Sequence, residues 1–315
     1  MNALESKARP VIEKYLLNIE TIWQPSDLLP NSRDDDFTEQ VREIKEVSKE
    51  LSYDIMVTLI GDMITEEALP TYESWIMSSE GFNQVENNSW AQWLRGWTAE
   101  ENRHGDALSK YIYMSGRVNM REVEITTQHL IKDGFDPGMG HDPYKTFIYT
   151  SFQELATNVS HRRTGTLAKK AGCVRLAKIC GIIASDEARH AGAYMDFVEL
   201  FFQEDPNETM KALAYMMRKH IVMPAHNMRE SGGKPRGELY RYFSHAAQRC
   251  GVYTVYDYID IMEQLFNRWN LANVRHMKDD GEMARDYLMA LPARMKEIAV
   301  RLRTPKQPYP FKWLK

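Results

Sequence analysis

Cysteine is scarce: Cys173, Cys180 and Cys250 are the only three in 315 residues. An odd count without zinc-type spacing excludes a disulfide framework and fits a reducing compartment. Long apolar runs are missing too. Nothing approaches the ~18 consecutive apolar residues that would span a bilayer, and mean hydropathy is −0.52, so the chain reads as soluble, with no membrane insertion. A net charge of −4, with both signs spread along the chain, leaves no basic field to hold nucleic acid. Strand alternation, low-complexity tracts and any flavin or nicotinamide fingerprint are likewise absent. The N-terminus carries Glu5, Glu13 and Glu20 without an apolar or a Ser/Arg-rich segment, so neither a signal nor a transit peptide is expected.

Present instead is a spacing used twice. Glu101-Asn102-Arg103-His104 and Glu187-Ala188-Arg189-His190 each place a carboxylate and an imidazole three residues apart, on one face of a helix. Such a spacing is short enough to arise by chance. Its context is less so: an Arg precedes each His, an acid precedes each Glu (Glu100, Asp186), and a further Glu lies upstream of each pair at a similar distance. Upstream of the second pair this is Glu154; upstream of the first, periodicity leaves Glu66 and Glu67 both open.

Periodicity and breakers predict helices over residues 3–22, 37–51, 53–79 with a kink at Pro70, 89–114, 119–133, 143–170, 173–203, 206–228 with an interruption at Pro224, 238–250, 254–271 and 282–302. The expected fold class is all-α: one domain over 1–315, a metal-binding core near 53–203 and flanking helices over 1–52 and 204–315. Glu154 sits in an apolar run, Phe147-Ile148-Tyr149-Thr150-Ser151-Phe152, and a buried carboxylate needs a positive partner. Glu66, Glu101, Glu154 and Glu187 together balance two divalent cations if His104 and His190 bind as neutral imidazoles. Oxygen-rich ligation with two imidazoles and no thiolate suits iron or manganese better than zinc, and iron is the first choice. One Glu from each of two helices plus Glu-x-x-His from each of two others is the ferritin-like di-metal carboxylate pattern of a four-helix bundle, expected here as a di-iron centre. Around it, Asp186 is expected to accept from His104 and Glu100 from His190, with Arg103 and Arg189 pairing to acids on neighbouring helices. Thr157, one turn after Glu154, should face the same interior point.

Longer stretches then resemble one family. Asp62-Met63-Ile64-Thr65-Glu66-Glu67-Ala68-Leu69-Pro70, Trp97-Thr98-Ala99-Glu100-Glu101-Asn102-Arg103-His104, Phe152-Gln153-Glu154-Leu155-Ala156-Thr157 and Asp186-Glu187-Ala188-Arg189-His190 are similar to the soluble acyl-acyl-carrier-protein desaturases of the stearoyl Δ9 type. The resemblance runs from Trp23-Gln24-Pro25 to Pro310-Phe311-Lys312-Trp313. It implies two irons held by Glu66, Glu101, His104, Glu154, Glu187 and His190, choosing Glu66 over Glu67. It also implies Thr157 beside the oxygen-binding face and an electron path through Trp23, Asp186 and His104. The implied activity is O₂-dependent insertion of a cis double bond, at Δ9 of a C16–C18 chain carried on acyl carrier protein, as a step of fatty acid biosynthesis. Ferredoxin is the implied electron donor and a homodimer the implied assembly. An acyl tunnel is expected to pass Trp75, Ser78 and Ser79, and a basic rim (Arg162, Arg163, Lys169, Lys170, Arg175) offers a docking face for the acidic carrier. The same ligands would serve a hydroxylase of a carrier-bound chain, or iron storage in a hollow assembly. A start at Met followed directly by a helix favours bacterial cytoplasm over plastid stroma.

Overall fold

Start and stop signals set the helices that matter. The computed structural model describes every residue except Lys234 and Lys315. Helix α1 (Glu5–Tyr15) and α2 (Phe37–Val47) come first. Helix α3 (Tyr53–Glu67) opens where the Ser52 hydroxyl accepts the Ile55 N–H, and it is buried almost all round, an interior helix rather than a surface one. It stops at Ala68, and Pro70 sits in the first turn of α4 (Leu69–Met77). A missing N–H costs nothing at that position, so the kink expected at Pro70 is a break between two helices.

Helix α5 (Ser89–Ser115) starts under Asn88, whose side chain accepts the Ala91 N–H at 3.1 Å, and ends at Gly116, φ +65°. After α6 (Met120–Asp133), α7 (Pro143–Lys170) is capped by Asp142, which accepts the N–H groups of Tyr144 and Lys145 at 2.9 and 3.3 Å. A tight turn then leads into α8 (Val174–Glu204), which packs along α7. Helices α9 (Pro206–Lys219), α10 (Glu238–Cys250), α11 (Val255–Arg268) and α12 (Asp279–Ala299) complete the chain. Among the described residues there is no strand, only an isolated bridge between Val118 and Leu314.

Two predicted helices are shorter than their periodicity suggests. Residues 16–22 leave the helix because tertiary partners take their backbone: Leu17 N–H donates to Glu100 Oε1 at 3.0 Å, and Tyr15 C=O accepts from Arg189 Nη1 at 2.6 Å. Past Lys219 the chain is likewise held extended, Ile221 N–H donating to Tyr258 Oη at 3.0 Å and Val222 C=O accepting from Tyr149 Oη at 3.0 Å.

The buried side chains form two clusters. One holds Trp90, Trp93, Trp97, Phe147, Tyr194 and Phe197; the other holds Ile55–Ile64 of α3, Leu108, Tyr111, Ile179 and Ile183. Helices α5 and α8 each pass from one cluster to the other at their acidic residues, Glu101 and Glu187, and α3 ends at Glu66 just before the chain crosses between Ala68 and Leu69. Gly105 lets α5 approach α3 closely there, since a Cβ would lie 3.2 Å from the Glu67 nitrogen.

The C-terminal segment is anchored as firmly as the helices. Trp313 is fully buried, its indole donates to Thr126 Oγ1 at 3.0 Å, and Phe311 stacks on it at 4.7 Å. Trp313→Ala is expected to cost about 3–5 kcal/mol, read as a lowered urea midpoint with an unchanged denaturant slope.

Candidate metal centre

Glu66 from the end of α3, Glu101 and His104 from α5, Glu154 from α7, and Glu187 and His190 from α8 all turn inward, none more than 5% exposed. Their donor atoms fall into two groups. Glu66, Glu101, His104 and Glu187 form one; Glu101, Glu154, Glu187 and His190 form the other, with the atoms of each within 4.8 Å of one another. Glu101 and Glu187 belong to both.

The inner atoms are close without being satisfied. His190 Nδ1 lies 2.6 Å from Glu101 Oε1 and 3.6 Å from Glu154 Oε2; His104 Nδ1 lies 3.1 Å from Glu187 Oε1 and 3.4 Å from Glu101 Oε2. Yet Glu101 Oε1, His104 Nδ1, Glu154 Oε2, Glu187 Oε1 and His190 Nδ1 are all buried without a hydrogen-bond partner. Leaving a polar group so costs about 1–3 kcal/mol, and more for a charged one. A cation removes that cost, so these donors fit metal.

The outer face of each imidazole is occupied. His104 Nε2 is 3.3 Å from Asp186 Oδ2 and His190 Nε2 is 2.9 Å from Glu100 Oε2, which leaves both Nδ1 atoms facing inward. Arg103 donates to Asp186 at 3.0 Å and to the Trp23 carbonyl at 2.7 Å. Arg189 donates to Glu100 and, at 2.9 Å, to Asp186. Trp23 donates its indole N–H to Asp186 Oδ2 at 2.9 Å, lies parallel to the His104 ring and carries Arg103 over its face at 4.3 Å. Thr157 Oγ1 is 2.5 Å from Glu187 Oε2, and 3.2 and 3.1 Å from the carbonyls of Gln153 and Glu154. The hydroxyl has one hydrogen for these three acceptors, and its shortest contact is the one to Glu187.

Two partners escape the sequence reading. Trp97 donates to Glu154 Oε1 at 2.8 Å, and His161 lies 2.8 Å from Glu66 Oε1 through Nε2. The signal was spacing: Trp97 precedes Glu101 by one turn, and His161 follows Glu154 by two.

Burial raises the Glu154 carboxyl well above its ordinary range, and the charges of Glu101 and Glu187 push the same way. Burial also raises Glu66, against the opposing His161 hydrogen bond. At Glu101 burial pushes up, but His104 and His190 outweigh it and hold the carboxyl low. Desolvation opposes charge on both imidazoles, yet Glu101 and Asp186 around His104, and Glu100 and Glu101 around His190, raise them well above the usual value.

The sequence profile of the fatty acid desaturase family matches residues 1–315. Stearoyl-[acyl-carrier-protein] 9-desaturase 1 of Arabidopsis thaliana chloroplasts is 48% identical, the match covering 99% of this chain and 80% of that protein. The corresponding chloroplast enzyme of Spinacia oleracea is 47% identical over 99% of this chain and 79% of its own length. The chain belongs to the fatty acid desaturase family. Among solved structures, the putative acyl-ACP desaturase DesA2 of Mycobacterium tuberculosis shares the fold, with a TM-score of 0.56 at 19% identity, covering 89% of this chain and 97% of that one.

In this desaturase chain the centre adjoins an apolar cavity bounded by α3, α7, α10 and α11. Phe152, Ala156, Phe243 and Tyr258 supply apolar wall; Glu66, Thr157 and His161 form the side next to the centre. The expected tunnel residues do not line it. Trp75 is half-buried against the aromatic core, Ser78 is exposed with its hydroxyl on the Trp75 carbonyl, and Ser79 is tied to Thr146 at 2.7 Å. The break at Ala68 starts a separate helix there, and the cavity is closed by C-terminal helices instead. The expected basic rim is also partly spent: Arg163 is paired to Asp257 and Arg175 donates to Leu28 C=O and Gln40. No described helix is long and apolar enough to cross a membrane.

Proposed function

We propose that this chain is an O₂-dependent acyl-[acyl-carrier-protein] desaturase of fatty acid biosynthesis that sets a cis double bond at Δ9 of a saturated C16–C18 chain. One observation carries the reading: two abutting groups of unmatched buried donors lie beside an apolar cavity. Glu66, Glu101, His104 and Glu187 would hold one iron, and Glu101, Glu154, Glu187 and His190 a second. Iron bound there supplies the reduction of O₂ and the oxidising power that removes two hydrogens from adjacent methylenes. Dioxygen takes four electrons while the acyl chain yields two. The other two must come from an external donor, read here as ferredoxin, with Trp23, Asp186 and His104 as the hydrogen-bonded series leading inward.

The protein's own part is orientation and exclusion. The cavity wall holds the chain so that one pair of methylenes faces the centre, and Asp186 and Glu100 fix the imidazoles. Thr157 holds a proton at Oγ1, donated to Glu187 Oε2. The match over 1–315 supports one ferritin-like domain, and we read the assembly as a homodimer. The names of the relatives include chloroplast enzymes, and they lend no support to the bacterial compartment favoured above. They favour desaturation over hydroxylation.

Incubation with stearoyl- and palmitoyl-acyl carrier protein, reduced ferredoxin and O₂ tests the reading by mass spectrometry of the released acyl chains. Products lighter by two hydrogens are expected. Hydroxylated products, or none from protein that holds its iron, would overturn it.

A further inference from the structure

The outer partners of the two histidines match, Asp186 with Arg103 on one side and Glu100 with Arg189 on the other. The two carboxylates that belong to one group each do not match. Glu66 and Glu154 are both buried, at 5% and 1% exposure, and each has its Oε1 held by a nitrogen at 2.8 Å. For Glu154 that nitrogen is the indole of Trp97, fixed in the aromatic core and able only to donate. For Glu66 it is Nε2 of His161, which reaches across from α7, is itself 1% exposed, and has no partner for Nδ1. With Glu66 ionised, as a metal ligand is, Oε1 accepts and Nε2 carries the hydrogen. His161 also faces the cavity, which Trp97 does not line.

A carboxylate that shares one oxygen with an N–H donor gives less charge to whatever else it binds, and the donor fixes its rotation. Two carboxylates restrained by donors of different kind therefore make the halves of the centre different. We propose that His161 is the positioning residue for Glu66 and that the His161–Glu66 and Trp97–Glu154 pairs make the two metal positions inequivalent. The inequivalence lies where the cavity meets the centre, in the group formed by Glu66, Glu101, His104 and Glu187. This inference rests on the reading that both groups bind iron.

The test loads purified metal-free protein with ⁵⁷Fe(II) and reads Mössbauer spectra alongside ferrous binding isotherms. Wild type should give two distinguishable ferrous doublets of equal area. His161→Leu should shift one doublet and weaken one binding step about tenfold or more, the usual scale for loss of an outer partner of a metal ligand, while the second doublet stays put. His161→Gln, which keeps an N–H donor, should restore the shifted doublet. Trp97→Phe should move the other doublet, the one that His161→Leu leaves alone. A single doublet in wild type, both doublets moving together in His161→Leu, or no recovery in His161→Gln would each overturn the assignment while the iron reading stands. Wild type that takes up no iron would overturn the iron reading and this one with it.

Discussion

Glu101→Ala protein is expected to purify folded but with essentially no iron, and to make no alkene. Glu101 belongs to both groups of donors, so its loss removes a ligand from each, whereas Glu66→Ala removes one from a single group and should leave about half the metal. Elemental analysis of dialysed protein separates the two cases. Retention of half the iron in Glu101→Ala would show that Glu101 serves one position only. Uptake should also depend on pH in a fixed direction. Glu66 and Glu154 are raised by burial, and His104 and His190 are raised by surrounding carboxylates, so protons compete with metal at higher pH than for free side chains. Loading therefore falls as pH drops from 8 toward 6.

Stability of the metal-free protein moves the other way at those carboxyls. A group raised in the folded state contributes fully below its unfolded value, and the contribution is lost as pH rises through the folded value. Glu101 is depressed, so its contribution is present above its ordinary value of 4.5 and stays level across this window. The burden of the raised carboxylates thus grows toward alkaline pH, where metal binds best.

How much of this was legible in the sequence depends on the range of the interaction. The positions of Glu101, His104, Glu187 and His190 follow from helical spacing, which is local, and so does Thr157 relative to Glu154. Asp186 against His104 was legible one step further out, because a carboxylate before one pair must project toward a neighbouring helix. The end of α1 was not. Its apolar rhythm continues past Tyr15, but Glu100 and Arg189 capture the backbone of Leu17 and Tyr15, and both come from distant parts of the chain. The cavity was the least legible element. Its outer wall comes from Phe243 on α10 and Tyr258 on α11, and a Cβ added at Gly61 of α3 would lie 2.1 Å from the Phe243 ring. Nothing in the local pattern of either segment announces that approach, and local pattern points instead to the helix adjoining Glu66.

Thr157→Val should keep its iron and fold while turning over about a hundredfold more slowly, within the range usual for loss of a group that handles a proton. Valine preserves the shape of the side chain and its place in the cavity wall with Phe152 and Ala156, but it removes the hydrogen donated to Glu187 Oε2 at 2.5 Å. The hydroxyl also reaches the Gln153 and Glu154 carbonyls, and these offer a purely structural explanation that must be separated. Carbonyl oxygens of a helix already accept backbone N–H groups, so losing the hydroxyl there costs little and leaves α7 intact. Serine, which restores the hydroxyl without the methyl, should recover most of the rate. Single-turnover measurement with carrier-bound substrate, taken with iron content and the urea midpoint, reads all three variants. A slow Thr157→Val enzyme with full iron and unchanged midpoint, rescued by serine, places the proton at Thr157 in the reaction. Equal loss of iron and rate would instead make the hydroxyl a brace for Glu187.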